Sequence, residues 1–264
     1  MKTRRSFEEI PVVILCGGMG TRLSEQTELR PKPLVDIGTK PILWHIMKHY
    51  GAHGFKEFFL ALGYKGEMIK RFFIDFSALS QDFTVRLQKG SVEPLSESNA
   101  EPWEVHLIDT GEKTLTGGRM KNIAHLIGSR TFMMTYGDGL SNVDLKKLLD
   151  FHYSHDGLVT LTAVRPPARF GALEFEGDQI RHFKEKSVLH EGWINGGFFV
   201  IEPDALGYIH EDVMWEHAPM ERLAEEGHLY AYRHEGFWQC MDTLRDLKFL
   251  ESLWHQENPP WKTW

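Results

Sequence analysis

The 264-residue sequence predicts an α/β protein with a mixed, mostly parallel central sheet flanked by helices and a smaller antiparallel subregion. Strand-like and helix-like segments alternate through the first two thirds of the chain, which is typical of α/β architecture. The strand-like segments are apolar almost continuously, as expected for strands buried on both faces of a parallel sheet. From Phe170 onwards the strand-like segments become shorter, which indicates an antiparallel addition at about residues 165–202. We therefore expect one Rossmann-like domain spanning residues 1–264.

The elements of the expected sheet follow from these patterns in chain order. The predicted strands are Pro11–Leu15, Glu57–Leu62, Glu104–Asp109, Thr131–Tyr136 and Leu158–Val164. The predicted helices between them are Pro41–Tyr50, Lys65–Phe76, Gly118–Ile127 and Val143–Ser154. Proline is favoured in a first helical turn, which suits Pro41. Asparagine is a good N-cap, so Asn142 is predicted to cap the helix that starts at Val143.

The last third of the chain combines short strands with further helices. The segments FGALEFE, QIRHFKE and WINGGFFVIE are predicted strands. The predicted helices that follow are Pro203–His210, Met220–Glu226 and Leu244–His255. The polar, proline-bounded stretch Ser91–Pro102 is predicted to be an exposed loop.

Composition excludes several classes of protein. A net charge of -7 and a pI near 6.1 argue against a general nucleic-acid binder, which would carry a basic face. No apolar run approaches the length of a membrane span, and the basic N-terminus lacks the apolar segment of a signal peptide. Two cysteines, Cys16 and Cys240, imply no disulfide framework and favour a reducing cytoplasm.

The most informative segment follows the first strand. The chain there reads Gly17-Gly18-Met19-Gly20-Thr21-Arg22, and Lys32 follows between two prolines. Glycines let backbone N–H groups approach an anion, while arginine and lysine supply charge for phosphate oxygens. The segment therefore predicts a site for a phosphate-rich ligand. A solvated structural turn is the plainer alternative.

Spacing separates this segment from two other phosphate-binding loops. A P-loop needs a lysine directly after its last glycine, and none stands there. The dinucleotide fingerprint GxGxxG fits poorly, because Leu23 occupies the position of its third glycine.

Two aspartates are candidates for binding a metal ion. Asp138 lies in TYGDG, directly after a predicted strand, and ligands of open α/β sheets gather at the carboxyl ends of strands. With the glycine-rich segment at the same edge, Asp138 could hold Mg²⁺, which favours carboxylate and phosphate oxygens. Asp242 precedes a helix predicted to begin at Thr243, and on its own it is better interpreted as an N-cap.

A second polar group lies further along the chain. Lys186 could bind a sugar phosphate and Glu185 sugar hydroxyls, and the alternative for this pair is a solvated charge pair. Asn195 could bind a sugar hydroxyl, and the alternative is a turn residue. His45, His49 and His53 recur every four residues. Because no cysteine or HExxH motif accompanies them, a polar helix face is favoured over a zinc site. No motif indicates Ser-His-Asp or Cys-His catalysis.

With these residues assembled, the chain resembles the sugar-1-phosphate nucleotidyltransferases, and most closely their glucose-1-phosphate cytidylyltransferase branch. The resemblance covers nearly the whole chain from Val12 and leaves residues 1–9 as an extension. Its general motifs are CGGMGTRL and RPKPLVDIG. Its more particular motifs are KPILWHIMK, TGGR, FWQCMDTLRD and WKTW, and the segments TYGDG, RFGALEF and INGGFFV also match.

The resemblance implies transfer of a cytidylyl group from CTP to α-D-glucose 1-phosphate with Mg²⁺, releasing pyrophosphate. It implies that Asp138 and Asp242 bind the metal and that Arg22, Lys32 and Asp138 are catalytic. The implied substrate-binding residues are Leu15, Cys16, Gly17, Gly18, Met19, Gly20, Thr21, Arg22, Lys32, Thr114, Arg119, Gly137, Glu185, Lys186 and Asn195. The region at about 165–202 is implied to bind the sugar.

The resemblance also implies a homo-oligomer, in particular a hexamer in which Arg119 reaches a neighbour's nucleotide. Similar enzymes supply deoxysugars for surface polysaccharides such as the O-antigen of lipopolysaccharide. Ser187 departs from the family, which usually has proline after Glu-Lys, and Cys16 replaces a common alanine. Two alternatives stay open at this point: a transferase with uridylyl or thymidylyl specificity, and a non-catalytic nucleotide-sugar-binding protein. A metal-dependent glycosyltransferase is disfavoured, because no DxD pair lies near Asp138.

Overall fold

The computed structural model describes residues 2, 4–96, 99–166, 172–176, 179–184 and 192–264. Within these ranges, no helix combines the length and the apolar character needed to cross a membrane.

The strands alternate with helices along most of the chain, as the sequence predicts. In chain order the strands are β1 (Val12–Cys16), β2 (Asp36–Ile37), β3 (Lys40–Pro41), β4 (Glu57–Leu62), β5 (Phe83–Arg86), β6 (Ser91–Pro94), β7 (Glu104–Asp109), β8 (Phe132–Tyr136), β9 (Gly139–Ser141), β10 (Val159–Val164), β11 (Ala172–Glu176), β12 (Gln179–Lys184), β13 (Ile194–Asn195), β14 (Phe199–Ile201), β15 (Leu229–His234) and β16 (Trp238–Cys240). The α-helices are α1 (Ser24–Thr27), α2 (Ile42–Ala52), α3 (Gly66–Leu79), α4 (Thr116–Ile127), α5 (Leu145–Tyr153), α6 (Ala218–Glu225) and α7 (Leu244–Trp254). Short 3₁₀ helices cover Phe7–Glu9, Thr21–Leu23, Lys32–Leu34 and Pro203–Tyr208.

The central sheet is mixed and mostly parallel, so the predicted fold class is confirmed. In the described part of the chain its path is β13-β10-β14-β8-β1-β4-β7, with β15 paired to the other side of β10. Strands β8, β1, β4 and β7 run parallel to one another, as do β10 and β15. Strand β14 is antiparallel to both β8 and β10.

Helices cover both faces of this sheet, and β1 shows how the sequence produces two cores. Successive side chains of a strand point to opposite faces. Val12, Ile14 and Cys16 therefore join the core beneath α2, α5 and α7, whereas Val13 and Leu15 join the core beneath α4 and α6. All five residues of β1 are buried, which explains why the segment reads as a continuous apolar run.

The segment WINGGFFVIE pairs antiparallel, as predicted for this region, but it is part of the central sheet and not of the smaller subregion. It forms β13 and β14, which belong to the central sheet and pair with the same strand, β10. The interruption between them contains Gly197 and Phe198, both with positive φ angles of 75° and 48°. Strands β11 and β12 form an antiparallel hairpin of their own, as expected for the smaller subregion.

Two local predictions are wrong. Ser91–Pro94, the start of the predicted loop, is largely exposed as expected but forms a strand that pairs with Phe83–Arg86. Helix α5 begins at Leu145, and Asp144 is its N-cap, accepting from the backbone N–H groups of Lys146 and Lys147. Asn142 instead accepts a hydrogen bond from the backbone of Phe237.

The histidines of α2 do not form the predicted polar face. His45 and His49 are 0% and 3% exposed, on the same helix as the buried Ile42 and Ile46. His45 fits among tryptophans because both ring nitrogens have partners, the carbonyl of Ile37 and the indole N–H of Trp261. The described residues contain no group of three or more His, Cys, Asp or Glu side chains placed to hold a metal ion.

Candidate active site

The glycine-rich segment leaves the carboxyl end of β1 at the middle of the sheet. Gly20 has a φ angle of +62°, a region that side chains disfavour, and a Cβ there would lie 2.7 Å from the Thr27 methyl. The hydroxyl of Thr27 donates to the carbonyls of Gly20 and Leu23 and so closes the loop onto α1. The loop therefore has a fixed backbone path.

Arg119 is the hub that ties this loop to its neighbours. Its guanidinium is buried and donates to the carbonyls of Gly17, Leu62, Gly111 and Glu112, at 2.7–3.2 Å. These carbonyls follow or end β1, β4 and β7, so one side chain joins the carboxyl ends of three strands. Arg119 was predicted to bind a nucleotide, and it lines the main cavity while making these contacts within its own chain.

The predicted catalytic and metal-binding side chains meet at one point. The Lys32 ammonium lies 2.6 Å from Asp138 Oδ2 and 2.6 Å from Asp242 Oδ1. Arg22 Nη1 lies 2.9 Å from Asp242 Oδ2. The Lys32 and Asp242 side chains are largely buried, whereas that of Arg22 is 76% exposed. The four formal charges of this cluster cancel.

Strand pairing brings the two distant aspartates together. Strand β16, just before Asp242, runs antiparallel to β9, just after Asp138. The backbone N–H of Met241 also donates to the carbonyl of Asp138, at 2.8 Å. Neither short strand was predicted, so this juxtaposition lay beyond the sequence analysis.

The N-cap interpretation of Asp242 is wrong. Thr243 is the N-cap of α7 and forms a capping box with Asp246. Asp246 also accepts from the backbone N–H of Asp242, at 3.2 Å. The capping role thus belongs to its neighbours, which leaves the Asp242 carboxylate directed into the charged cluster.

Lys32 and Asp242 keep their charges at neutral pH. Burial alone would lower the pKa of Lys32, but Asp138 and Asp242 together raise it above its ordinary value. Burial alone would raise the pKa of Asp242, but Lys32 and Arg22 hold it below its ordinary value. Burial raises the pKa of Cys240 to about 12 and also raises that of Cys16, so neither thiol supplies a thiolate nucleophile.

A cavity of about 350 Å³ lies over this cluster, within the size range of ligand sites. The predicted residues on its wall are Leu15, Cys16, Gly17, Gly18, Gly20, Thr21, Arg22, Lys32, Thr114, Arg119, Gly137, Asp138 and Asp242. The side chain of Met19 is 55% exposed. The structure therefore brings together, around one cavity, residues that the sequence scatters over more than 220 positions.

A second cavity of about 320 Å³ adjoins the first. Both cavities are lined by Arg22, Tyr136, Asp138 and Asp242, so the charged cluster forms their junction. Asn195 lines the second cavity, together with Trp238 and Cys240. Glu185 and Lys186, the other residues predicted for the sugar phosphate, lie outside the described residues, as does Ser187.

The residues at the junction fit a divalent cation. Two carboxylates converge on the single positive charge of Lys32, and oxygen donors of this kind suit hard cations. Because the cluster is otherwise neutral, an added divalent cation would make the junction positive. A positive junction suits ligands that carry several phosphates.

Sequence reasoning missed several residues of the site. Tyr136 ends a strand whose apolar pattern predicts only burial, and Trp238 lies in the short strand β16, which was not predicted. Met214 and Glu216 lie near the first cavity in an irregular segment without a recognisable motif. Their positions follow from tertiary packing, which leaves no local signal in the sequence.

Comparisons with known proteins agree with this site. Residues 11–247 match the family model described as Nucleotidyl transferase. The chain is 48% identical to the glucose-1-phosphate cytidylyltransferase of Salmonella typhi, over 96% of this chain and 98% of that protein. It is 43% identical to the probable glucose-1-phosphate cytidylyltransferase of Bacillus subtilis, over 96% of this chain and 99% of that protein. The crystal structure of HddC from Yersinia pseudotuberculosis is similar in fold, with a TM-score of 0.68 and 25% sequence identity. The match covers 93% of this chain and 99% of that chain.

Proposed function

We propose that this chain, which belongs to the nucleotidyl transferase family, transfers the cytidylyl group of CTP to α-D-glucose 1-phosphate, giving CDP-glucose and pyrophosphate. One observation carries the proposal: two cavities of substrate size meet at a cluster made of Arg22, Lys32, Asp138 and Asp242. A site for two substrates needs such a junction. The glycine-rich wall of the first cavity suits a triphosphate, and the second cavity is left for the sugar phosphate.

The reaction requires no nucleophile from the protein. A phosphate monoester has its second pKa near 6, so glucose 1-phosphate carries nearly two negative charges at neutral pH. One of its oxygens can attack the α-phosphorus of CTP directly, forming the new P–O bond as the bond to pyrophosphate breaks. This agrees with two cysteines that stay protonated and with the lack of a nucleophile motif.

The protein's task is to position two polyanions and balance their charge. Positioning and electrostatic stabilisation dominate phosphoryl transfer. Lys32, fixed at the junction, would stabilise charge on the α-phosphate, and the more exposed Arg22 would meet the departing pyrophosphate. Asp138 and Asp242 would hold Mg²⁺, which supplies charge neutralisation and orients phosphate oxygens when it is bound.

The sugar side of the proposal includes Asn195 and the region at about 165–202. The Asn195 side chain lines the second cavity, where its amide suits sugar hydroxyls or phosphate oxygens. Glu185 and Lys186 remain proposed sugar-phosphate ligands. A homohexamer, a cytoplasmic location and a role in surface-polysaccharide synthesis also remain part of the proposal, and two free cysteines suit the reducing cytoplasm.

Two alternatives compete with this assignment. The phosphate-binding residues do not read the base, so a uridylyl- or thymidylyltransferase would use the same junction. A non-catalytic nucleotide-sugar-binding protein would have no need for the complete set of two cations and two carboxylates that the junction retains. The similarity to cytidylyltransferases at 43–48% identity favours CTP.

Pyrophosphate release from glucose 1-phosphate and each nucleoside triphosphate tests the proposal. We expect turnover with CTP and Mg²⁺ to exceed turnover with UTP, TTP or GTP by at least about tenfold, which corresponds to about 1.4 kcal/mol of discrimination. Equal or better turnover with UTP would contradict the cytidylyl assignment. No turnover with any nucleotide, combined with measurable binding of CDP-glucose, would support the non-catalytic alternative.

A further inference from the structure

Glu216 accepts hydrogen bonds from a tyrosine that lines both cavities and from a threonine that lines the first cavity. Its Oε1 accepts from the hydroxyl of Tyr136 at 2.5 Å, and its Oε2 accepts from the hydroxyl of Thr116 at 2.6 Å. Such short O–H···O distances are typical of hydrogen bonds to an ionised carboxylate. Both partners are neutral hydroxyls, so neither offsets the formal negative charge of this glutamate beside a site that must receive polyanions. Its presence there therefore needs an explanation other than charge balance.

The threonine arm leads to the first cavity. Thr116 begins α4 and lines that cavity together with Thr114 and Met214. Its hydroxyl oxygen also accepts from the backbone N–H of Trp215, at 2.9 Å. The same hydroxyl donates its proton to Glu216. These two hydrogen bonds fix the orientation of the Thr116 side chain in the wall of the first cavity.

The tyrosine arm leads to the second cavity. Tyr136 lines both cavities and ends β8. Its hydroxyl donates its proton to Glu216 Oε1, at 2.5 Å. The hydroxyl oxygen is then an acceptor, and the Asn195 side-chain N–H lies 3.5 Å from it.

Asn195 is consequently fixed in orientation. Its Oδ1 accepts from the backbone N–H of Gly197 at 2.9 Å, while its Nδ2 faces Tyr136. A side-chain amide has two N–H donors, so one remains for a ligand in the second cavity. The amide thus offers a donor to hydroxyl or phosphate oxygens.

From these contacts we propose that Glu216 is a positioning residue that couples the two cavities, fixing the nucleotide wall through Thr116 and the sugar-phosphate donor of Asn195 through Tyr136. The inference rests on the proposed function, since it assigns one substrate to each cavity. It identifies no direct contact between Glu216 and either substrate.

The three variants Glu216→Gln, Tyr136→Phe and Thr116→Val separate the two arms. The single oxygen of a glutamine side chain cannot replace both carboxylate oxygens, so E216Q should raise KM for CTP and for glucose 1-phosphate, each by about 10- to 100-fold, as expected for one lost hydrogen bond to a charged group. Y136F should raise mainly KM for glucose 1-phosphate, and T116V mainly KM for CTP. Thr116→Ser, which keeps the hydroxyl, should restore KM for CTP.

A matched control lies elsewhere on the surface. Tyr208 donates to Glu226 at 2.5 Å, the same type of bond, and neither residue lines the two cavities. Glu226→Gln should leave both KM values within twofold of wild type. Urea unfolding of all variants measures any general loss of stability separately from KM.

The double variant Y136F/E216Q gives the decisive comparison. If Glu216 acts on the sugar phosphate through Tyr136, the KM of the double variant for glucose 1-phosphate should lie within twofold of the higher of the two single-variant KM values. A double-variant KM equal to the product of the two single-variant increases would contradict coupling through Tyr136. An E216Q enzyme with unchanged KM values would also contradict it. So would an E216Q enzyme that loses only kcat, in proportion to its loss of stability. A wild-type protein without turnover would instead refute the proposed function, which keeps the two failures distinct.

Discussion

The ammonium group of Lys32 lies 2.6 Å from a carboxylate oxygen of Asp242, a residue 210 positions later in the chain. The same ammonium contacts Asp138 at 2.6 Å. One lysine therefore keeps two carboxylates close together, which would otherwise repel each other, at the point where two cavities meet. The proposed chemistry depends on this arrangement.

Replacing Lys32 by methionine should remove that central charge. We expect Lys32→Met to lower kcat for pyrophosphate release by at least about 100-fold, which corresponds to about 2.7 kcal/mol of lost transition-state stabilisation. The partly exposed ion pair between Lys56 and Glu8 supplies a control. Lys56→Met should keep wild-type kinetics, and a K32M enzyme within threefold of wild type would make Lys32 a bystander.

Neutralising either aspartate should weaken binding of the divalent cation. Asp138→Asn and Asp242→Asn preserve side-chain size but remove the anionic oxygen that suits Mg²⁺. Titrating activity with Mg²⁺ should show at least about a tenfold loss of cation affinity, or about 1.4 kcal/mol, in each variant. The exposed Asp150 offers a control, Asp150→Asn, with an unchanged titration. Removing the cation from wild-type enzyme with a chelator should stop turnover, and full activity in its absence would refute the metal proposal.

Two adjacent glycines should respond differently to alanine. A Cβ on Gly17 would lie 2.1 Å from the Arg119 Cζ, whereas a Cβ on Gly18 meets nothing within 4 Å. Gly17→Ala should therefore displace the buried guanidinium and lower the free energy of unfolding by about 1–3 kcal/mol, the usual range for overpacking. Gly18→Ala should leave it within about 0.5 kcal/mol. Equal unfolding midpoints in urea for the two variants would contradict the hub role of Arg119.

The buried histidines should make stability depend on pH in the mildly acidic range. Burial lowers the pKa of His45 to about 4 and that of His49 to about 3, below the ordinary value of 6.5. Between the folded-state pKa values and pH 6.5, the unfolded chain binds protons that the folded chain does not. The free energy of unfolding is therefore highest above about pH 6.5 and falls as the pH is lowered. The two groups together should cost about 2–3 kcal/mol per pH unit.

Variants at two histidines test the source of this slope. Urea unfolding at several pH values between 4.5 and 6.5 should show a slope that is smaller by about 1.4 kcal/mol per pH unit in His45→Gln. The exposed His255 remains in water in both states, so His255→Gln should keep the wild-type slope. An unchanged slope in H45Q would show that His45 does not carry the effect.

The sequence was sufficient for the features that depend on local pattern. Continuous apolar runs predicted the buried strands, and the glycine-rich segment with Arg22 and Lys32 predicted the wall of the first cavity. The features that depend on distant contacts were missed. The burial of His45 depends on Trp261, and the meeting of Asp138 with Asp242 depends on pairing between two three-residue strands. Segments so short carry no periodicity that distinguishes a strand from a loop.

The stereochemical course at the α-phosphorus tests most directly whether the two substrates react with each other across the junction. The measurement uses CTP carrying sulfur in place of one α-phosphate oxygen, in a single configuration, and determines the configuration of the CDP-glucose product. Direct in-line attack by glucose 1-phosphate predicts inversion. Retention would require two displacements through a covalent enzyme intermediate, and it would contradict an account in which no residue of the protein acts as a nucleophile.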